Sequence, residues 1–576
     1  MLEVIGVAVD DALIDGWRER IVKAAAHLSW RSCATVARRH AGGASLAISA
    51  PPDQLFLAAE VNEWALCATL MQRDAARFFA LEDALVAAAR EAAETSPSPA
   101  ADIAPVLAES KAFERFSGLS AMEARPALRA LLAAAAARHL PHVLDESDLT
   151  LGSGAGSEDF PLAALPDVSA VNWAALHDIP TAVVTGSNGK TTTVRLLAAC
   201  ARAHGLRASY NCTDGGFCGD EMLASGDYSG PAGARRVLRE HRTQAAILET
   251  ARGGILRRGL AVSQANVALV TNISSDHFGE YGIDELEALA DTKLTVGSIV
   301  PPGGLLVLNA DDALLRRRAG ALAERFGRSP PLGWFAASVE SAALRACKER
   351  GEPTSGVDEG RLTLNYGGAR HDLGDIKAMP LSMNGVAHYN IANLAGAALA
   401  AAALGIAPAT IAGVLGSFGA STKDNPGRMM RFDVRGITVL VDYAHNPDGL
   451  RGFLTVAEHL RGSQGRLGLI LGHAGNRLDS DIEELARVAA EFRPALVVVK
   501  ENERHLRGRE PGDIPRILLA KLRRAGLPES SLPPASNSEV EAAQAALAWA
   551  REGDVLALPV HSLQAREAVV AMLEHG

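Results

Sequence analysis

Short apolar runs, each ending in polar or glycine residues and separated by helical patterns, organise most of this 576-residue chain. Four of them, TAVVTG, AAILET, VALVTN and GLLVLN, fall between residues 181 and 310. Alternation of this kind predicts βαβ units on a parallel sheet, in which ligands gather beyond the carboxyl ends of the strands. The pattern returns after residue 425 in ITVLVDYAHNP, RLGLILGHAGN, ALVVVKEN and DVLALPV, predicting a smaller, Rossmann-like α/β domain. Before residue 180 it is mixed. Residues 2–9 and 44–49 read as strands, and residues 11–28 and 60–93 as helices. A linker-like TSPSPAAD, Ala-rich helices and the run LGSGAGSEDF follow. That Gly/Ser-rich run reads as a flexible connection. The predicted organisation is an α+β N-terminal domain over residues 1–175, a parallel-sheet α/β domain over 176–422, and a Rossmann-like domain over 423–576.

Composition narrows the function classes. With 48% hydrophobic and 22% charged residues, the chain can bury large cores without disulfides or structural metals. A formal charge of −10 with no basic tail disfavours nucleic acid or an anionic membrane as partner. The six cysteines are scattered, and Cys212 and Cys218 are too isolated for a zinc site, so reduced thiols are expected. The start, MLEVIGVAVDDALIDGW, has acidic residues where a signal peptide needs a basic region. The longest apolar stretches, such as residues 130–137, are far too short to span a membrane. A cytoplasmic protein is expected.

The segment TAVVTGSNGKTTT carries the strongest chemical signal. An apolar strand ends in Gly186, Ser187, Asn188, Gly189, Lys190, Thr191 and Thr192, and a helical pattern starts at once. Glycines let backbone N–H groups turn toward an anion, and the helix N-terminus adds partial positive charge. Lys190 is placed to reach outer phosphates, and the Thr191 hydroxyl suits a magnesium ion. The bland alternative is a strand-to-helix turn with a surface lysine. Strand, Gly-Lys-Thr-Thr order and helix together argue against it.

TGSNGKTTT resembles the phosphate loop of the Mur ligase superfamily, and five further segments in order are similar to that family's motifs: VTNISSDHFGEYG, NADD, GVAHYNIAN, NPGRM and VDYAHNPDGL. Within the superfamily NCTDGG, LETARGGILRRGL, NPGRMMRF and LRGREPGDI most resemble the C-terminal ligase half of cyanophycin synthetases. Such enzymes carry an ATP-grasp domain ahead of this half, for which the roughly 180 preceding residues are too few. The resemblance therefore implies a P-loop-type ATPase domain in the middle of the chain, and an ATP-dependent, ADP-forming ligase that makes an amide through an acyl phosphate. It also implies two magnesium ions. The substrates would be an acidic molecule and an amino acid, for example Arg or Lys joined to an aspartyl side chain. A homo-oligomer is expected, and a separate ATP-grasp protein is a candidate partner.

By resemblance, Lys190 would bind the β- and γ-phosphates. Thr191, Glu249 and His277 would hold magnesium, and Lys293, if carbamylated, a second ion. Asn309 would contact adenine, Arg428 the γ-phosphate and Asp442 the ribose, with His445 in the same turn. Each has a plain structural alternative: a strand-end capping acid for Glu249, a loop histidine for His277, a surface helix lysine for Lys293, and a turn fixed by Asn446-Pro447 for Asp442 and His445. Asp214, Arg252 and Gly253 lie in the segments that resemble the substrate region. Arg252 is a natural bidentate partner for a carboxylate, and glycine admits close approach. Arg507 and Arg509 could grip an amino-acid carboxylate or form a solvated loop. In the first domain Asp53, Glu60, Asn62, Glu63 and Trp64 read best as an amphipathic helix with a polar face. Other readings are a glutamate-adding ligase of the folylpolyglutamate or poly-γ-glutamate kind, a catalytically silent ATP-binding subunit, and a simple kinase or GTPase. The last has no use for a DYAHNP domain.

Overall fold

The computed structural model describes residues 1–40, 42–75, 107–275, 278, 280–475, 477–501, 506 and 508–575. The second half of the helix expected over residues 60–93, the TSPSPAAD segment, His277 and Arg507 lie outside the described residues.

The chain opens with a small antiparallel sheet, β1 (Leu2–Ile5), β2 (Thr35–His40) and β3 (Gly43–Ile48), in the order β1-β3-β2. Asp10 caps the helix Asp11–His27 by accepting from the Leu13 N–H at 2.8 Å, and the helices Leu55–Arg73 and Glu109–Glu123 complete the layer. Trp17, Ile21, Leu46, Leu57 and Val61 are fully buried there. The polar cluster noted in the sequence serves this core. Asn62 accepts from Trp17 Nε1 at 2.9 Å and donates to Leu46 O. Glu60 pairs with Arg115 at 2.5 Å, and Asp53 accepts from the Arg125 N–H. The amphipathic-helix reading is corrected in part: Asp53 precedes the helix, and Asp53 and Asn62 are buried rather than on a polar face. The strand β2 was not anticipated, because TVARRH shows no apolar alternation.

A second, separate core follows. The helix Pro126–Ala137 packs Leu128, Leu131 and Ala135 against Leu149 and Leu151 of the antiparallel β4 (His142–Leu144), β5 (Asp148–Leu151) and β6 (Glu158–Pro161). Here the flexible connection expected at LGSGAGSEDF is corrected. The run forms the end of β5, a single 3₁₀ turn at Gly154–Gly156 and β6. Gly152 and Gly154 are buried at φ +80° and +51°, and the Ala155 N–H donates to Thr243 O at 2.7 Å. Glycine is required because the backbones approach too closely for a Cβ.

The large central sheet is built on β7 (Thr181–Thr185), β8 (Ala208–Cys212), β9 (Gly215–Cys218), β10 (Glu221–Ser225), β11 (Ala245–Glu249), β12 (Val267–Val270), β13 (Leu305–Asn309), β14 (Leu332–Ser338), β15 (Thr354–Asp358), β16 (Arg361–Tyr366) and β17 (Ala369–Asp375). Its order is β10-β9-β8-β11-β7-β12-β13-β14-β15-β16-β17. The strands from β8 to β15 in that order are parallel, and antiparallel ribbons close both edges. Helices cover both faces, which is why β7, β11, β12 and β13 are buried throughout and read as continuous apolar runs. The last five strands, β18 (Met430–Val434), β19 (Ile437–Asp442), β20 (Leu467–Leu471), β21 (Leu496–Val499) and β22 (Val555–Pro559), form a sheet ordered β18-β19-β22-β20-β21. It is parallel except for β18. All eight strands expected from the apolar runs of the last two domains are present.

The ordered glycine run gives a direct test. A Cβ on Gly152 would lie 2.1 Å from Gly156 O. Gly152→Ala is therefore expected to destabilise the fold by about 1–3 kcal/mol, read as a lower urea midpoint at unchanged m. A loose linker would tolerate the change without effect.

Candidate functional site

The loop after β7 turns because two of its glycines cannot be replaced. Gly186 (φ +144°) would bring a Cβ to 1.8 Å from Thr271 Oγ1, and Gly189 (φ +85°) to 2.3 Å from Asn393 Oδ1. The end of β12 pins the loop from behind. Ser187 N–H donates to Asn272 O and Asn188 N–H to Asn272 Oδ1, each at 2.9 Å. Thr271 Oγ1 and Asn272 Nδ2 both donate to Asn188 O, at 2.5 and 3.1 Å. The helix Lys190–Ala203 begins immediately afterwards, so its free N–H groups face the space beyond the strands.

That space is a cleft of about 640 Å³ between the central and last domains, lined by Ser187 to Thr192, Glu249, Asn309, Arg428, Asp442 and His445 among others. Volumes of this order suit a small-molecule ligand. Lys190 and Arg428 line it, and Lys293 lies behind the glycine loop. Lys190 Nζ donates to Gly186 O and Ser187 O, both at 3.0 Å. Lys293, buried on the helix Leu286–Leu294, donates to the same Gly186 O at 2.7 Å. This is not the surface lysine of the alternative reading. Arg428 donates to Gly427 O, and its guanidinium lies 4.3 Å from the Tyr443 ring centroid. Among the described residues neither Lys190 nor Arg428 has an ion-paired carboxylate, although Glu249, Asp311, Asp312, Asp442 and Asp448 line the same cleft.

Glu249, at the end of β11, is fully buried and accepts from Thr191 Oγ1 at 2.8 Å and Thr213 Oγ1 at 3.3 Å. Burial raises its pKa against the opposing pull of Lys190 and the Thr191 hydrogen bond. Thr191 and Glu249 thus supply two adjacent hard oxygen donors. Magnesium, which keeps several waters and takes one or two protein carboxylates beside ligand phosphates, fits such a pair.

Other predicted residues have structural commitments. Asn309 lines the cleft, but its amide donates to Thr271 O at 2.9 Å and accepts from Asp311 N–H. Asp442, whose pKa burial raises, accepts from Met429 N–H and Ala444 N–H. His445 faces the cleft with its ring 5.2 Å from that of Tyr443. The turn holding these residues is backed by His561, which contacts Ala444 O at 3.2 Å. Burial, then the charge of Lys500, lowers the pKa of the His561 imidazole. Sequence reasoning did not single out Asn393 or Tyr389. Both line the cleft, and the Tyr389 hydroxyl is buried without a hydrogen-bond partner. The G.HN..N-like helix start was the available signal.

The residues assigned to substrate fare differently. Asp214 does not line the cleft. It is buried between Arg195 (2.5 Å) and Arg566 of the last helix (2.8 Å), bridging the two domains. Arg252, at the start of the helix Arg252–Arg258, is buried and paired with Glu280 at 2.7 Å. Gly253 leaves 3.4 Å between a built Cβ and the Tyr281 ring. Arg509 reads better as a structural residue: it donates to Gly475 O and Arg477 O and pairs with Asp479 at 2.7 Å. All six cysteines are free, as expected, and among the described residues no helix is long and apolar enough to cross a membrane.

The Asp214 bridge predicts a stability effect. Asp214→Ala leaves two buried guanidiniums without their carboxylate, a loss of about 3–5 kcal/mol. Urea unfolding followed by the fluorescence of the chain's tryptophans checks this, and an unchanged midpoint would show the bridge to be absent in solution.

Comparison with known proteins places this geometry. Residues 184–401 match the Mur ligase middle domain and residues 427–558 the Mur ligase, glutamate ligase domain. The chain is 37% identical over 340 residues to a cyanophycin synthetase of Nostoc sp., covering 59% of this chain and 37% of the relative. It thus spans little more than a third of the length of that relative. It is 31% identical over 361 residues to the UDP-N-acetylmuramoyl-L-alanyl-D-glutamate--2,6-diaminopimelate ligase of Alkalilimnicola ehrlichii, covering 60% of this chain and 67% of the relative. Among solved structures, E.coli FolC in complex with DHPP and ADP superposes with a TM-score of 0.50 at 18% identity, over 69% of this chain and 89% of that one, a likeness of fold alone. A glycine loop pinned by β12, a cleft closed by a parallel C-terminal sheet, and two domain matches in order carry one conclusion: the chain belongs to the Mur ligase family.

Proposed function

We propose that the protein is an ATP-dependent amide ligase that activates a carboxylate as an acyl phosphate and passes it to an amine. The observation that carries this reading is the meeting of Lys190 and Arg428, from two domains, on one cleft that also holds the Thr191–Glu249 oxygen pair. A carboxylate oxygen would attack the γ-phosphorus as ADP leaves. The amine nitrogen would then attack the acyl carbon, phosphate would leave, and the nitrogen would give up a proton.

Phosphoryl transfer depends mostly on positioning and charge stabilisation. Lys190 and the N–H groups of the glycine loop would bind the terminal phosphates, and Arg428 would approach them from the last domain. Lys293, carbamylated or as the amine, would hold the same edge of the loop, and Thr191 with Glu249 would hold magnesium. Magnesium supplies neutralisation of the phosphate oxygens. Asn309, Asp442 and His445 line the part of the cleft that would take the nucleoside. Arg252 would face the acidic substrate. The cleft lies between two domains, so closure would exclude water from an intermediate that hydrolyses easily. Similarity to cyanophycin synthetases supports an acidic substrate and an amino acid, with a second, ATP-grasp protein as a candidate partner.

The full chain, given Mg-ATP, aspartate-containing peptides and single amino acids, is expected to release ADP and phosphate only with a matched pair. AMP as product would overturn the acyl-phosphate route. Lys190→Ala should lower turnover by about 100-fold or more at an unchanged unfolding midpoint.

A further inference from the structure

The first 137 residues lie outside both matched regions, yet Arg38 bonds them to the edge of the site. Alternate residues of a strand share a face, so Arg38 and His40 of β2 point the same way. Ser45, opposite Arg38 in the β2–β3 register, accepts from its Nη2 at 3.1 Å. The fork then reaches the central domain, where Nη1 donates to Gly282 O at 2.8 Å and Nη2 to Tyr281 O. Two consecutive carbonyls on one planar guanidinium is a match that only arginine makes.

The turn so gripped is an unfavourable one. Tyr281 and Gly282 are both left-handed, at φ +55° and +63°, a conformation that costs a tyrosine and persists only where surroundings hold it. A Cβ on Gly282 would lie 2.4 Å from His40 Cγ. Glu280 in turn pairs with Arg252 at 2.7 Å, and the Tyr281 ring lies 5.7 and 5.5 Å from the guanidiniums of Arg252 and Arg257. Arg252 begins the helix three residues after Glu249 of the cleft.

We propose that Arg38 is a positioning residue: from the N-terminal domain it fixes the Glu280–Gly282 turn, and through that turn it sets the Arg252 guanidinium to receive the acidic substrate. The part concerning substrate rests on the ligase reading above. The clamp itself does not.

The test uses the full chain with Arg38→Ala and, from the other side of the contact, Gly282→Ala. Hydrogen exchange of peptides covering 252–258 and 280–284 is expected to rise about tenfold in both variants, at an unchanged urea midpoint for Arg38→Ala and a lower one for Gly282→Ala, whose Cβ would meet His40 at a positive φ. With the peptide panel, KM for the aspartate-containing peptide should rise by about the same factor while KM for Mg-ATP stays put. Unchanged exchange at 252–258, or both KM values rising together, would overturn the proposal. If the wild-type chain turns over no substrate pair, the ligase reading fails, and the exchange result alone decides the clamp.

Discussion

A glycine loop directs its N–H groups into a cleft only when something rigid holds its other face, and here that support is the end of β12. Thr271 and Asn272 bond Ser187 and Asn188 through both backbone and side chain, and the space for a Cβ at Gly186 is taken by Thr271 Oγ1. The loop is therefore set before any ligand arrives. Preorganisation of this kind is what gives electrostatic stabilisation its value, since no reorganisation is needed when charge develops. Everything else in the site is arranged around that fixed edge. Lys190 and Lys293 share the Gly186 carbonyl, and Glu249 meets the first helical turn through Thr191.

The last domain is registered against the same loop. Asn446 caps the helix Pro447–Leu460 by accepting from Gly449 N–H, while its amide donates to Asn188 Oδ1 at 2.9 Å. One residue thus performs a helix-capping task and a docking task, and Pro447 at the first helical position makes the turn stiff. The Arg195–Asp214–Arg566 bridge and the donation from Arg195 to Pro426 O add buried polar links across the same interface. Buried charge pairs contribute little net stability but are costly to break, so they define which relative placement of the domains is allowed.

How much of this was legible follows from the kind of signal each part leaves. The parallel strands β7, β11, β12 and β13 and those of the last sheet were plain because two-sided burial demands unbroken apolar runs, and the glycine loop because its chemistry is local in sequence; the parallel β8, β14 and β15, with ASYNC, LGWFAAS and TSGVD, were not. The edge ribbons β9–β10 and β16–β17 and the strand β2 were not: GGFC, ARHDLGD and TVARRH have no apolar period. LGSGAGSEDF misled for a related reason, since glycine marks both freedom and close packing, and only the partner across the contact decides which. Asp214 and Arg509 were read as ligand contacts because a charge in a family-like segment suggests function. Their partners, Arg566 and Asp479, stand 352 and 30 residues away, and no local pattern announces them.

That contrast separates two kinds of buried or half-buried cation in this protein. Arg195, Arg509 and Arg566 each meet a carboxylate, and their charge is already answered. Lys190 and Arg428 meet carbonyls and a ring, which orient a cation without neutralising it. Their charge acts through space on Glu249 and, from Arg428, on Asp214 and Asp442, and an anion with several negative oxygens would take it up directly. Arg252 stands between the two classes, because its carboxylate partner Glu280 sits on a strained turn that another domain holds in place. Its availability to a ligand is then set by the clamp, and the N-terminal domain acquires a physical connection to the chemistry through β2.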